Sequence, residues 1–176
     1  MSACLCTAAC GPSSWTNAYT GTATIQTDWG SPPAFEKQSV EFMSCAPPVQ
    51  DDADQPPSET PAFAVLTVGD QCEIDGAWSD DTFVAQTGGS CVLPFTDKNV
   101  TVRVTDAVVR RPVHHSRFGS HMDESSIEVS VGGDTLPAKG TPEHVLYAFK
   151  GTIGSSIEAT EACLEAYERH KAAEAS

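Results

Sequence analysis

The chain has little positive charge, no long apolar run and no familiar catalytic motif. Its 176 residues include 10 Lys and Arg against 24 Asp and Glu, a formal net charge of -14. This excess of negative charge repels nucleic acid and anionic lipid, so we expect neither as a ligand. No apolar stretch approaches the roughly 20 residues of a membrane-spanning helix. The length fits a single globular domain.

The sequence also lacks the short motifs that mark common active sites. It contains no G-x-S-x-G, H-E-x-x-H, phosphate-binding loop or C-x-x-C. The acidic group Asp51, Asp52 and Asp54 lacks the glycine and terminal glutamate of a calcium-binding loop. We therefore expect a protein without enzymatic activity and without a cofactor. The alternative is a hydrolase whose site is assembled from distant strands.

Cysteine, by contrast, is more abundant than is usual in cytosolic proteins of this length, which indicates an oxidising compartment. The seven cysteines are Cys4, Cys6, Cys10, Cys45, Cys72, Cys91 and Cys163. The first three have C-x-C-x3-C spacing with no second pair downstream, which does not favour a zinc site.

Residues 3–14, ACLCTAACGPSS, resemble the end of a bacterial lipoprotein signal peptide. Ala8 and Ala9 are the small residues that precede the lipidated cysteine in that family, and Cys10 takes the position of that cysteine. The resemblance implies that residues 1–9 are the end of a truncated signal peptide and that residues 10–18 form a tether. It implies a bacterial cell envelope location, in the periplasm or at the outer membrane, with membrane contact through the lipid only. A secreted protein with an ordinary N-terminus is the alternative.

Removal of residues 1–9 and acylation of Cys10 would leave four cysteines, enough for two disulfides. Cys72 and Cys91 bracket a short stretch in which two adjacent glycines let the chain turn back. We predict that these two cysteines are bonded and that Cys45 pairs with Cys163. The alternative for Cys163 is a free thiol in the core.

About eight short segments have the composition or the alternation of β-strands. They are residues 19–25, 39–45, 63–68, 82–87, 91–95, 99–105, 127–131 and 145–149. Their spacing favours an antiparallel β-sandwich or small barrel, in one domain of residues 19–176. Residues 46–62 are rich in proline and aspartate and are predicted to form a loop.

Residues 156–174 contain strong helix formers with apolar positions at helical spacing, and Ser155 and Glu158 have the spacing of a capping box. The sequence thus predicts an all-β or mainly β fold with a C-terminal helix. A barrel with such a helix tied back by a disulfide resembles the lipocalins. That resemblance implies an alternative function, the carriage of a small apolar ligand.

Positive charge is concentrated in one segment, which holds Arg103, Arg110, Arg111 and Arg117. Guanidinium groups suit carboxylates and phosphates, so this segment is a candidate for binding an anion or an acidic partner. The alternative is a solvated strand end that balances the acidic group of residues 51–54.

Three histidines near this segment, His114, His115 and His121, are weak metal candidates. Adjacent histidines in a strand point to opposite faces, so we expect no metal site there. The sequence as a whole favours a non-enzymatic β-domain, envelope-anchored or secreted, that acts as a binding or assembly subunit with a protein partner in the envelope.

Overall fold

The computed structural model describes residues 14–28, 35–45, 62–79, 82–94, 99–116, 119–122, 125–137 and 140–174. Cys10, the predicted signal peptide and Arg117 lie outside the described residues, as does the predicted loop apart from Ala62. The elements in chain order are β1 (Trp15–Thr27), β2 (Phe35–Cys45), β3 (Ala62–Val68), β4 (Cys72–Ser79), β5 (Thr82–Ala85), β6 (Ser90–Pro94), β7 (Asn99–Arg110), β8 (Val113–Ser116), β9 (Gly119–Met122), β10 (Ser126–Thr135), β11 (His144–Glu158) and α1 (Thr160–Glu174).

Nine strands form one antiparallel sheet in the order β5-β4-β3-β2-β1-β11-β10-β7-β6. The sheet is curled into a half-barrel, and β8 and β9 form a separate hairpin between β7 and β10. The prediction of a mainly β fold with a C-terminal helix is confirmed. Of the two predicted architectures, the curled sheet corresponds to the barrel.

The two ends of the sheet, β5 and β6, are consecutive in the chain and are held near each other. The N–H of Gly88 donates to the carbonyl of Val104 at 2.8 Å, and the N–H of Val104 donates to the carbonyl of Gly89 at 2.8 Å. The N–H of Val92 donates to the carbonyl of Gln71 at 3.2 Å. Gly88 has a φ of 91°, which only glycine adopts without strain. These bonds tie the β5–β6 link to β7 and tie β6 to the turn before β4.

Alternate side chains of the nine strands point into the half-barrel and form its core. The largest fully buried side chains of the structure are those of Tyr19, Tyr147, Phe42, Phe149, Ile25, Leu66, Leu93 and Ile127. The Phe42 ring lies 4.9 Å from the Trp78 ring and 5.7 Å from the Phe83 ring, between centroids. The concave side is thus occupied by side chains packed against one another.

Tyr147 provides a test of this packing. Its hydroxyl is buried, and no described residue hydrogen-bonds it. We expect Tyr147→Phe to leave the free energy of unfolding unchanged or to raise it by about 1 kcal/mol at neutral pH, because a buried unpaired hydroxyl is costly. A loss of stability in urea denaturation would contradict this packing.

The same residue predicts a pH effect. Burial raises the pKa of the Tyr147 phenol above its usual value. Above about pH 10 the unfolded chain therefore loses this proton while the folded chain keeps it, so stability falls as the pH rises. Urea denaturation at increasing alkaline pH should show a smaller loss for Tyr147→Phe than for the wild type.

The helix covers the convex side of β2 and β3. Cys45, Phe63 and Val65 form a second buried cluster with Ala159, Cys163 and Ala166. A disulfide joins Cys45 to Cys163, with Cα atoms 5.5 Å apart. β3 is therefore buried on both faces, which explains why its sequence is apolar at every position except Thr67.

A second disulfide joins Cys72 on β4 to Cys91 on β6, with Cα atoms 4.5 Å apart. It links β6, at one end of the sheet, to β4, the strand next to the other end. Both bonds have the pairing that the sequence predicted, and the two disulfides indicate an extracytoplasmic protein. Within the part of the chain that the structure describes, no helix has the length and apolarity needed to cross a membrane.

The predicted start of the helix at residue 156 is wrong. β11 continues to Glu158, and α1 begins at Thr160. Ser155, Ser156 and Ile157 pair with β1 instead, opposite Ala18, Asn17 and Thr16. Serine and β-branched isoleucine are weak helix formers, so the ladder with β1 outweighs the local capping pattern.

The predicted C-terminal boundary of the tether, residue 18, is also wrong, because β1 begins at Trp15. Residues 15–18 pair with β2 as well as with β11. Three strands, β4, β8 and β9, were not predicted from the sequence.

Candidate functional site

The convex face of the sheet carries two ordered rows of side chains across β1, β11, β10 and β7. In the first row Thr22 lies opposite Lys150, Lys150 opposite Glu128, and Glu128 opposite Arg110. The second row consists of Thr24, Ala148, Ser130 and Val108. The residues between the rows, such as Val109, Val129 and Phe149, are buried in the core, so both rows face outward.

The second row contains only small side chains, and a groove of about 360 Å³ lies above it. The groove is lined by Thr22, Thr24, Val108, Arg110, Glu128, Val129, Ser130, Ala148, Phe149 and Lys150. Its floor is made of short aliphatic and hydroxyl side chains, and one wall is the charged row. We call this feature the outer groove.

The charged row contains one ion pair and one additional cation. Lys150 Nζ donates to Glu128 Oε1 at 2.6 Å; the Lys150 side chain is largely exposed and the Glu128 side chain is partly exposed. Arg110 is exposed, and its guanidinium makes no ion pair with any residue that the structure describes. The guanidinium of Arg110 offers five hydrogen-bond donors. With Lys150 it gives two cations against the single carboxylate of Glu128. The groove therefore presents positive charge on a chain with a net charge of -14.

The structure separates the arginines that the sequence grouped together. Arg103 is seven residues from Arg110 on the same strand and face, about 20 Å away by the rise of a β-strand. It lies opposite Asp134, which in turn lies opposite His144. The ring Nδ1 of His144 is 3.2 Å from Asp134 Oδ1. The backbone N–H of His144 donates to Asp28 Oδ2 at 3.2 Å.

Arg111 belongs to a different environment. Its guanidinium carbon is 5.8 Å from the centroid of the Trp78 ring, a cation–π contact at the end of the core. Burial raises the pKa of the Tyr19 phenol, while the charge of Arg111 and a hydrogen bond with Asn17 act in the opposite direction. Arg111 is half-buried and contacts Trp78, so of the three predicted arginines that the structure describes only Arg110 lines the outer groove.

The histidine candidates lie on the β8–β9 hairpin. In the backbone register His114 is directly opposite His121, whereas His115 is opposite Ser120. The register thus brings two of the three histidines together at the level of the backbone. Among the described residues, no group of three His, Cys, Asp or Glu side chains has an arrangement that could hold a metal ion.

The outer groove combines a guanidinium, an ammonium group and the hydroxyls of Thr22, Thr24 and Ser130 around a floor of small side chains. These groups can donate hydrogen bonds and neutralise negative charge, although Lys150 is already paired with Glu128. A guanidinium in such a place can bind a carboxylate or a phosphate group. No protein-family model matches the chain, and no curated protein matches it.

Proposed function

We propose that this protein is a non-enzymatic, extracytoplasmic β-domain that binds an acidic protein partner through the outer groove. The observation that carries the proposal is Arg110, an exposed guanidinium without an ion pair among the described residues, at the wall of a groove with a floor of small side chains. Arginine pairs with carboxylates through two parallel hydrogen bonds, which gives both affinity and orientation.

The net charge of the whole chain does not oppose such a partner at contact distance. Charges in solution are screened over about 8 Å at physiological salt. The contact therefore depends on the groups in the groove, which are Arg110, Lys150 and one carboxylate, Glu128. These three give the groove a local excess of one positive charge.

The interior of the half-barrel is a poorer candidate for a ligand site. Tyr19, Phe42 and Phe149 are among the buried side chains that occupy the concave side. A carrier of small apolar molecules encloses its ligand in a cavity of several hundred Å³. The packed side chains therefore favour binding on the outer wall over the lipocalin-like alternative.

Binding of an acidic peptide tests the proposal. Titration of the isotopically labelled protein with a synthetic hexaglutamate peptide should shift the NMR signals of Arg110, Ser130 and Ala148. We expect Arg110→Ala to weaken binding about tenfold, because hydrogen bonds to charged groups contribute roughly 1.5–3 kcal/mol. The affinity of the wild type should fall as salt rises.

Arg103→Ala is the matched control, because Arg103 is exposed on the same face of the same strand but lies outside the groove. It should bind the peptide like the wild type. Equal weakening by the two substitutions, or binding that is independent of salt, would contradict the proposal. Arg111 is unsuitable for this test, because its substitution also removes the contact with Trp78.

We further propose that Cys10 anchors the protein to the bacterial cell envelope through a lipid. The resemblance of residues 3–14 to a lipoprotein signal peptide supports this, as does the extracytoplasmic location indicated by the disulfides. Intact-mass analysis of protein from its native host should show a chain that begins at Cys10 and carries acyl groups. An unmodified chain that retains Met1 would contradict the anchor.

A further inference from the structure

The charged row that borders the outer groove has a carboxylate between its two cations. Glu128 on β10 lies opposite Arg110 on β7 and also opposite Lys150 on β11. Directly opposite residues on one face of a sheet have Cβ atoms about 5 Å apart. An anion held by the Arg110 side chain therefore lies close to the Glu128 carboxylate.

Glu128 is paired with only one of its two neighbours. Its Oε1 accepts a hydrogen bond from Lys150 Nζ at 2.6 Å, whereas Arg110 makes no ion pair with any residue that the structure describes. The Lys150 side chain is 76% exposed and the Glu128 side chain is 41% exposed. An ion pair this open to solvent contributes little to stability, so its main effect is on the charge of the groove.

The charge of Glu128 opposes an incoming anion in proportion to the charge of that anion. Arg110 attracts the ligand, and Glu128 repels it from the neighbouring strand. A carboxylate carries one negative charge, whereas a phosphorylated side chain carries about 1.5 to 2 at neutral pH. The repulsion from Glu128 therefore costs a phosphate up to about twice as much free energy as it costs a carboxylate.

The other polar groups of the groove suit both kinds of ligand. A guanidinium such as that of Arg110 pairs with carboxylate and with phosphate. The hydroxyls of Thr22, Thr24 and Ser130 can donate to the oxygens of either. Glu128 is the only acidic residue among those that line the groove in the described part of the chain. Discrimination between the two ligands by charge therefore depends on Glu128.

From this arrangement we infer that Glu128 is a specificity-determining residue of the outer groove, which lowers its affinity for phosphate more than its affinity for carboxylate. Specificity is a difference between two affinities, and a like charge beside the binding group is one way to produce it. The ligand that fits is a side-chain carboxylate of the partner. The inference rests on the function proposed for the outer groove and names the acidic group that the groove recognises.

The same strand supplies a matched control. Asp134 lies on the same face of β10, between Arg103 of β7 and His144 of β11, and its side chain is 47% exposed. It is six residues from Glu128, about 20 Å by the rise of a β-strand, and it does not line the groove. Asp134→Asn therefore removes the same charge from the chain and leaves the groove unchanged.

Two pentapeptides that differ in one side chain test the inference. Both are acetylated and amidated; one is GGEGG, and the other has phosphoserine in place of the glutamate. Titration at low ionic strength is followed by the NMR signals of Ser130 and Ala148. We expect Glu128→Gln to tighten binding of the glutamate peptide about tenfold and of the phosphoserine peptide roughly thirty- to a hundredfold. Asp134→Asn should leave the ratio of the two affinities at its wild-type value.

Arg110→Ala separates failure of the inference from failure of the proposed function. Binding that Arg110→Ala does not weaken, or no binding by either the wild type or Glu128→Gln, would contradict both. If Arg110→Ala does weaken binding, an equal change of the two affinities in Glu128→Gln would overturn the inference alone. Weaker binding of both peptides by Glu128→Gln would also overturn it, because Glu128 would then act by positioning Lys150 for the ligand.

Discussion

Replacement of Cys45 and Cys163 by alanine is expected to lower the free energy of unfolding by about 4–5 kcal/mol. The two residues are 118 positions apart, so their bond removes a large part of the conformational freedom of the unfolded chain. The same bond holds α1 against β2, where Ala159, Cys163 and Ala166 are buried. Because single domains are stable by only about 5–15 kcal/mol, the double variant should be close to unfolding at physiological temperature.

The other disulfide is the matched comparison. Cys72 and Cys91 are separated by 19 positions, and their replacement by alanine should cost about 3 kcal/mol. Urea denaturation of the two double variants under identical conditions measures both losses. A larger loss for Cys72→Ala/Cys91→Ala would contradict the assignment of the long-range bond as the stronger constraint.

Phe42→Ala is expected to destabilise the protein by about 3–5 kcal/mol, the usual cost of removing a large aromatic side chain from a core. Phe42 is 2% exposed and contacts the rings of both Trp78 and Phe83. Its loss leaves a cavity between β2, β4 and β5, and Trp78 loses the ring packed beside it. Thermal and urea denaturation measure the effect.

Val84→Ala is the control for that substitution. Val84 lies beside Phe83 on β5, but its side chain is 62% exposed. Its truncation should change the free energy of unfolding by less than about 0.5 kcal/mol. Similar losses for Phe42→Ala and Val84→Ala would mean that the concave side is not the packed core described above.

The fold was predictable where a strand has one buried face, because alternation then follows directly from the pleat. Val100, Val102 and Val104 predicted β7 in this way, and Val145, Tyr147 and Phe149 predicted β11. The disulfide pairing followed from the positions of Cys45, Cys72, Cys91 and Cys163 relative to the predicted elements. These predictions needed only the alternation of residues along one strand and the positions of the cysteines among the predicted elements.

β4 was missed although its sequence, CEIDGAWS, does alternate. Cys72, Ile74 and Trp78 face inward, but Gly76 interrupts the apolar series, and glutamate and aspartate are poor strand formers. Gly76 is glycine because a Cβ there would overlap the Phe83 ring and the carbonyl of Val84. The packing of β5 against β4 is a tertiary constraint that the local pattern does not reveal.

The start of α1 was wrong for a related reason. Residues 155–158 have the pattern of a helix cap, but β1 offers them a complete set of cross-strand partners. The N–H of Cys163 donates to the carbonyl of Ala159 at 2.8 Å, so the helix begins with a residue that has no side-chain cap. Pairing with β1, which is distant in the sequence, sets the start of α1, and the local sequence around residue 156 does not indicate that pairing.

The outer groove was only partly predictable. Arg110 was identified as a candidate because it lies in the basic segment, but Lys150 and Glu128 were not. Register brings the three side chains side by side from three different strands, and nothing in the local sequence of any strand specifies that register. Of the other arginines in the predicted group, Arg103 and Arg111 lie outside the groove, and Arg117 lies outside the described residues.

Photo-crosslinking in the native host tests binding through the outer groove most directly. A benzophenone amino acid at the position of Ser130, on the floor of the groove, should give one discrete adduct, while the same probe at the exposed Thr101 of β7 gives none. The adduct should disappear when Arg110→Ala is added and persist with Arg103→Ala. An adduct that forms equally from both positions, or that survives Arg110→Ala, would contradict the outer groove as the binding site.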